Sequence, residues 1–417
     1  MRFSFGLATR KRERKRSRTV VVKPECKISI PENVLIMEIF PRLPAKSLMR
    51  FKCVSRLWYS LICSRLVTNL FLKSAKGRRR GMFMSLVEKE SEYNYALVSS
   101  SPDSVPVISP YDSNPISDLN QYLDMPGIEG SFVSAIRGLV CFRIGTRVRI
   151  CNLTTKQHVT LPILRLTSIA EPNYNVWNYF GHDLVHDEYK VLSIVWEVSK
   201  EERIVRSEHQ MLVLGPEASW RNTKSTNIPP PPPHRPYSQG ISINNILYYG
   251  AWIDEFKCVI MSFDMRSEEF TLIELPLEAG RIFWDTSNTN IMNYKGKIAL
   301  FEYGNMWSND SMDVWVLEDA GKSEWSSKKN FVLPSSQTVS VDMSHAFLIH
   351  ATSHSCEIRL APERMSPRLP HSAIYDLEKN KITKHIQVMS LLDRLGMLPI
   401  LETNFWDDTE SIMYLET

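Results

Sequence analysis

Three stretches set 112 residues apart constrain this chain more than any other feature of it. CNLTTKQHVTLP (151–162), FDMRSEEFTLIELP (263–276) and YDLEKNKITKHI (375–386) share one layout: an alternating apolar run, then Asn or Asp, an aliphatic residue and mostly polar residues, then a second run. An Asn or Asp in that position can bond the backbone just ahead of it and shape a tight turn. A second unit falls between them, MLVLGPEASW (211–220) and VWVLEDAGKSEW (314–325), a β run, a loop and a closing Trp. The marks at 152, 220, 264, 325 and 376 are 68, 44, 61 and 51 residues apart. Spacing of that order suits the blades of a propeller, where kelch-type repeats run to about 50 residues. The larger part of the chain is therefore expected to be all-β, a kelch-like β-propeller, with a β-sandwich of similar hairpins as the alternative. Ten tryptophans and 24 prolines among Val/Ile/Tyr runs agree with β structure.

Residues 30–75 follow a different grammar and read as helix. Pro31 suits a first helical position, where its missing N–H would be unpaired anyway, and Glu32 follows where the helix dipole favours negative charge. VLIMEIF (34–40) is apolar all round, so that helix must be buried on several sides. Pro41 is expected to disrupt it near Phe40, and Pro44 to open a second helix with Leu48, Phe51 and Val54 at three-residue steps. Ser55 can cap a third, RLWYSLIC, with Trp58, Leu61 and Ile62 on one face. Three short helices cannot enclose that much apolar surface alone. The module either packs on its own chain or docks on another protein.

The stretch IPENVLIMEIFPRLPAKSLMRFKCVSRLWYSLI (30–62) resembles an F-box: it carries Ile30-Pro31, the E-I-x-x-R-L-P block, K-S-L, R-F-x-C-V-S and the following Trp58. It departs from the family after Ile62, where CSRLVTNLFL lacks the usual Asp-Pro-x-Phe exit. GLVCF (138–142), GHDLVHDEYKVLSI (181–194), GISINNILYYGAW (240–252) and MDVWVLED (312–319), in that order, resemble the F-box-associated domain of a large plant family, itself thought of as kelch-like. The resemblance implies an F-box over 28–75 and an F-box-associated β domain over 80–390; its charge makes 1–27 a basic N-terminal segment expected to be disordered, and 391–417 is a tail without a counterpart. It also implies a substrate-receptor subunit of a Skp–cullin–F-box ubiquitin ligase. Such a subunit docks on a Skp-type adaptor, and through it on a cullin and a RING subunit, while the β domain binds an unknown protein substrate. Ile30, Pro31, Leu35, Ile39, Leu43, Pro44 and Trp58 are the residues expected to make or support the adaptor surface. The alternatives are a nucleic-acid-associated regulator anchored by its basic arm, or a scaffold that holds the adaptor without a cullin.

Charge and motif content bear on those alternatives. Residues 1–27 hold ten Lys/Arg and two Glu, so the net +4 of the whole chain leaves −4 on the other 390 residues. The run RKRERKRSR (10–18) reads as a solvated tail or a nuclear address, placing the protein in the nucleus and/or cytoplasm. The β region lacks interleaved aromatic and basic residues, so nucleic acid is not expected as a partner. No stretch approaches the roughly 18 apolar residues of a membrane span. Seven scattered cysteines without C-x-x-C suggest reduced thiols. In HDLVH (182–186) an Asp stands where a zinc protease needs Glu, and His345, His350 and His354 lack partnering cysteines. IPPPPPHRP (228–236) reads as a loop, with a ligand for an SH3 or WW domain as the lesser reading. No P-loop, G-x-S-x-G or Rossmann pattern appears, so neither a cofactor nor a catalytic residue is expected.

Overall fold

The first strand after the helical segment is paired with the last described strand, and the described strands between them are arranged in sheets around that seam. The computed structural model describes residues 30–74, 79–89, 92–100, 107–108, 115–125, 128–164, 169, 175–199, 203–224, 230–276, 289–302, 311–332, 347–352, 355–362, 371–387 and 389–415. In chain order, blade 1 holds β1 (Arg79–Lys89), β2 (Glu92–Ser100), β3 (Val107–Ile108) and β4 (Pro115–Tyr122). Blade 2 holds β5 (Ser131–Ile136), β6 (Leu139–Ile144), β7 (Arg147–Asn152) and β8 (Gln157–Thr160). Blade 3 holds β9 (Val176–Asp183), β10 (Glu188–Val198), β11 (Ile204–Val213) and β12 (Arg221–Asn222). Blade 4 holds β13 (Arg235–Pro236), β14 (Ile241–Ile243), β15 (Ile246–Trp252), β16 (Cys258–Asp264) and β17 (Phe270–Glu274). Blade 5 holds β18 (Thr289–Tyr294), β19 (Lys297–Glu302), β20 (Ser311–Asp319), β21 (Glu324–Trp325) and β22 (Lys329–Val332). Blade 6 holds β23 (Phe347–Ala351), β24 (Glu357–Pro362), β25 (His371–Asp376) and β26 (Lys381–Gln387). Then β27 (Leu398–Thr409) returns to blade 1 and pairs with β1 from Arg79↔Thr409 to Glu88↔Leu398.

This is a six-bladed β-propeller. A sandwich would pack two sheets against each other, whereas here each sheet packs on two neighbours. A separate apolar cluster fills every gap: Phe142 and Met84 between blades 1 and 2, Val191 and Ile150 between 2 and 3, Tyr249 and Ile194 between 3 and 4. Trp315 and Ile260 fill the gap between 4 and 5, Tyr375 and Phe301 that between 5 and 6, and Phe83 and Ile386 that between 6 and 1. A short helix, α5 (Met389–Arg394 in this chain order, after four N-terminal helices), adds Leu391 and Leu392 to the last gap. The residues read as an unassigned tail thus supply a helix and the inner strand of blade 1. Blades 6 and 1 are further joined by parallel pairing of β26 with β4, His385–Gln387 beside Ile116–Asp118.

The two repeating sequence units have distinct jobs. Asn152, Asp264 and Asp376 each end the third strand of an even blade, and each Oδ1 accepts from the N–H groups two and three residues ahead: Thr154 and Thr155, Arg266 and Ser267, Glu378 and Lys379. The fourth residue of each turn, Lys156, Glu268 or Asn380, takes positive φ and brings the chain back into the sheet. Asp183 and Asp319 build the same turn, with Asp187 and Ser323 at positive φ. The closing tryptophans act across blades. Trp220 of blade 3 donates its indole N–H to the Pro162 carbonyl after blade 2, and Trp325 of blade 5 to the Glu274 carbonyl of blade 4, each at 2.7 Å. The Pro-rich stretch lies between blades 3 and 4, and its end pairs with Ala251 and Trp252.

Where that stretch ends, His234 is buried between blades 3 and 4, its ring nitrogens 2.9 Å from the Pro232 carbonyl oxygen and the Tyr249 hydroxyl, with the His209 ring stacked 5.0 Å away. Burial pulls His234 down to about 4 against an upward push from the Pro232 carbonyl, and burial together with His234 holds His209 well below the usual imidazole value. Both rings stay neutral in the fold, while the unfolded chain takes up protons below about pH 6.5. Stability is therefore full above that pH and falls as pH drops towards 4, by roughly 3 kcal/mol for His234 alone. Urea midpoints followed from about pH 7 down to about pH 4.5 are expected to decline, and to decline less steeply in His234→Gln.

Candidate functional site

The helical module at 30–74 is built from prolines and serines used as corners. Pro31 stands just outside α1 (Glu32–Val34), one position earlier than the sequence suggests, and its carbonyl accepts from Val34 and Leu35. The winding then widens to a π-turn over Leu35–Ile39 and tightens to a 3₁₀ turn over Phe40–Arg42. Pro41 explains the change: it has no N–H for the carbonyl four residues back, and its ring would crowd that carbonyl in a regular α-helix. Helical winding therefore runs through Pro41 to Arg42 instead of stopping at Phe40. Pro44 opens α2 (Ala45–Phe51), accepting from Ser47 and Leu48. Ser55 caps α3 (Arg56–Cys63), its Oγ accepting from Trp58 N–H at 3.1 Å, as the sequence suggests. A fourth helix, α4 (Arg65–Ser74), follows in the stretch that departs from the family pattern, with Ser64 Oγ accepting from Val67 N–H.

These turns sort the apolar residues into an inside and an outside. Leu35, Phe40, Ala45, Leu48, Ile62, Val67 and Phe71 form one buried cluster. Trp58 is half-buried against it, edge-on to Phe40 and Phe51 at 5.3 Å each. Ile39 and Leu43 are also half-buried on this cluster. Of the residues singled out from sequence, Leu35 is only 3% exposed and lies inside the module; Ile30, Pro31 and Pro44 are exposed. The structure adds Val34, Met37, Val54, Leu57, Tyr59 and Leu66, all exposed and all outside that set. Ile30, Val34 and Met37 fall at four- and three-residue steps, on the side of the first helix turned away from Leu35 and Ile39. Met37, 54% exposed, stands furthest out of the three. Their exposure follows from the all-round apolar pattern of VLIMEIF: one side is used internally and the other is left over.

The propeller takes up a different side of the module. Consecutive hairpins of a meander alternate between its two ends, so the first and third turns of blades 2 and 3 lie on one face. Among the described residues, polar contacts from that face reach the module. Asp187, in the first turn of blade 3, accepts from Asn69 Nδ2 at 2.6 Å, and its carbonyl accepts from Arg65. Asn69 Oδ1 in turn accepts from Arg137, in the first turn of blade 2, at 2.6 Å. His182 sits between Arg137 and Asp187, its Nε2 2.9 Å from Asp187 Oδ1 and its Nδ1 3.2 Å from Arg137 Nη1. Burial and then the Arg137 charge lower the His182 pKa, against the pull of Asp187, so this ring is a neutral bridge that donates to Asp187 and accepts from Arg137.

The other histidine of HDLVH serves a second cluster. Asp183, His186 and Glu188 carry ligand-type atoms within 4.8 Å of one another, but Lys190 Nζ lies 2.8 Å from Asp183 Oδ2 and donates also to the Met265 carbonyl of blade 4. The ammonium thus neutralises Asp183 and lies 3.6 Å from Glu188 as well. Burial pushes Asp183 up, yet hydrogen bonds from Lys190, His186 and two backbone N–H groups hold it well below the usual carboxylate range. His345 and His354 lie outside the described residues, as does the basic run at 10–18; for His350 only the backbone, in β23, is described.

A stability contrast follows from this sorting. Leu35→Ala is expected to lose about 2–5 kcal/mol of module stability by leaving a cavity, and Met37→Ser to stay within about 0.5 kcal/mol. Urea melts read at amides of residues 30–74 by hydrogen exchange check the difference.

Comparison with known proteins agrees with this arrangement. The F-box domain family matches residues 30–69, and the family described as F-box associated beta propeller domain matches residues 82–394. An F-box protein of Arabidopsis thaliana is 47% identical over 388 residues, covering 92% of this chain and 93% of that protein. A second Arabidopsis F-box protein is 37% identical and an Arabidopsis F-box/kelch-repeat protein 34% identical, each over the whole of both chains.

Proposed function

The chain belongs to the F-box proteins that carry an F-box associated β-propeller domain, and from that premise we propose that it is the substrate-receptor subunit of a Skp–cullin–F-box ubiquitin ligase. The observation that supports this most is the uncovered apolar side of the first helices: Ile30, Val34, Met37, Val54 and Leu57 are exposed while the propeller occupies α4. A Skp-type adaptor covers that side, with Ile30, Pro31 and Pro44 in contact and Leu35, Ile39, Leu43 and Trp58 behind them. The adaptor brings the cullin and the RING subunit. The chain itself breaks no bond; it holds a target near the charged enzyme, where tethering raises effective concentration towards millimolar. The basic run at 10–18 serves as a nuclear address, so the protein works in the nucleus and/or cytoplasm.

The target is a protein that binds the propeller face opposite the helical module. On that face Ile163, Val198, Val205, Phe256 and Val332, from blades 2 to 5, are large apolar residues left exposed at strand ends and loops. Such residues scattered round the loops of a rigid ring are the usual material of a protein-binding surface.

Two outcomes test this reading. Val34→Asp and Met37→Asp are each expected to weaken binding of a recombinant Skp-type adaptor by about tenfold or more in calorimetry, because a charge becomes desolvated in the contact; wild-type affinity in both would refute the surface. Proximity labelling under proteasome inhibition is expected to enrich proteins that Phe256→Asp and Val205→Asp no longer enrich, with adaptor labelling unchanged.

A further inference from the structure

The buried cluster of the helical module contains one residue that does not come from residues 30–74. Ile412, followed by five residues in the sequence, has none of its surface exposed and belongs to the same cluster as Leu35, Phe40, Leu48 and Phe71. After β27 leaves blade 1, residues 410–415 run without regular secondary structure as a strap between propeller and helices, and successive side chains turn to opposite sides. The odd residues face the propeller. Ser411 lies against Gly138, and its N–H donates to Thr154 Oγ1; Met413 and Leu415 join the cluster between blades 2 and 3. The even residues face the helices. Ile412 enters their core, and the Tyr414 ring stands 6.4 Å from Tyr59 with Lys52 Nζ 5.4 Å over its face.

The strap is fixed along its length. Asn152, which already shapes the third turn of blade 2, uses its Nδ2 to donate to the Met413 carbonyl at 2.9 Å, and Gln157 Oε1 accepts from Leu415 N–H. Gly138 has positive φ and lies so close to the Thr409 carbonyl that a Cβ there would come within 2.3 Å of it. No side chain fits, so the strap runs flush on the propeller. Its position is thus set by blade 2, and the helices are set on it.

We infer that the docking module is a composite of residues 30–74 and residues 411–415, in which the latter are positioning residues: Ile412, by completing the buried cluster that holds Leu35 and Phe40, keeps the first helix in the shape the adaptor meets. Four short helical segments bury too little surface to order themselves; the last residues complete their core. A chain that is truncated before Ile412, or whose ring has not closed, presents no ordered docking surface. The ligase then takes up only receptors that have finished folding at the recognition end. This inference rests on the proposed receptor function for its consequence, but the composite core can be tested without the adaptor.

The test compares the full chain, Ile412→Asp, Ile412→Val and a chain ending at Glu410, which retains all of β27. Two readouts are taken: amide exchange over residues 30–74, and affinity for a recombinant Skp-type adaptor. In Ile412→Asp and in the truncated chain, amides of the helices are expected to exchange at least about tenfold faster, and adaptor affinity to fall by about tenfold or more. Ile412→Val is expected to recover most of both, and a SIMYLET peptide added to the truncated chain to restore part of both. Amides of blades 3 to 5 serve as the internal standard; if truncation disturbs them too, the two Ile412 substitutions decide. Unchanged helix exchange in Ile412→Asp would overturn the inference. Failure of the full chain to bind the adaptor would instead count against the receptor reading and leave the exchange result to judge the composite core.

Discussion

The pairing of β1 with β27 is the constraint on which the rest of this structure depends. β1 is the first strand after the helices and β27 the last described strand, so one ladder closes the ring and brings residues 30–74 and 411–415 to one face. Without β27, blade 1 has no inner strand, and the cluster it shares with blade 2 loses a wall: Trp406 joins that cluster and stacks on Phe132 of blade 2 at 4.8 Å. The contact spans more than three hundred residues of sequence, so it forms late and at a high entropic cost. Its return is that residues 411–415, which follow β27, are set against both blade 2 and the helices.

Polar contacts fix the register that apolar packing leaves loose. Between blades 3 and 4, Lys190 bonds both Asp183 of its own blade and the Met265 carbonyl of the next. Arg221 forms a two-pronged bond with Glu268, raising the guanidinium pKa, and Glu268 also accepts from Lys224 N–H. Such buried pairs add little net stability against an apolar alternative, but breaking one partner is costly, so they penalise slipped packings. At the junction with the helices the same device recurs in the Arg137–His182–Asp187–Asn69 chain, a linked set of donors and acceptors with few other ways to satisfy itself.

What could be read from the sequence was what is local. The turns at Asn152, Asp264 and Asp376 were legible because the shaping oxygen and its N–H donors lie within three residues of each other. Ser55 was legible as a cap for the same reason. Asp183 and Asp319 carry the same signal but sit in stretches whose flanks hid the repeat. Trp220 and Trp325 were visible as marks, yet their acceptors, Pro162 and Glu274, lie 58 and 51 residues back in chain order and only the fold brings them near. α4 was obscured by an unfamiliar exit sequence, although Ser64 followed by Val67, Phe71 and Leu72 has the cap and spacing of a helix. Leu35 was legible as sticky but not as internal: a helix apolar all round does not say which side meets its own chain. Ile412 had no local signal at all, since nothing in SIMYL (411–415) says which of its apolar side chains turns towards the helices.

The account stands on the outer side of the first helix being where another protein sits. Hydroxyl-radical footprinting of the full chain, with and without a recombinant Skp-type adaptor, tests that most directly, since Met37 and Phe256 are both exposed and both oxidise readily but lie on opposite sides of the molecule. The account predicts that the adaptor shields Met37, with Val34 and Leu57, and leaves Phe256 as reactive as before. Equal oxidation of Met37 in both samples, or shielding at Phe256 instead, would contradict it.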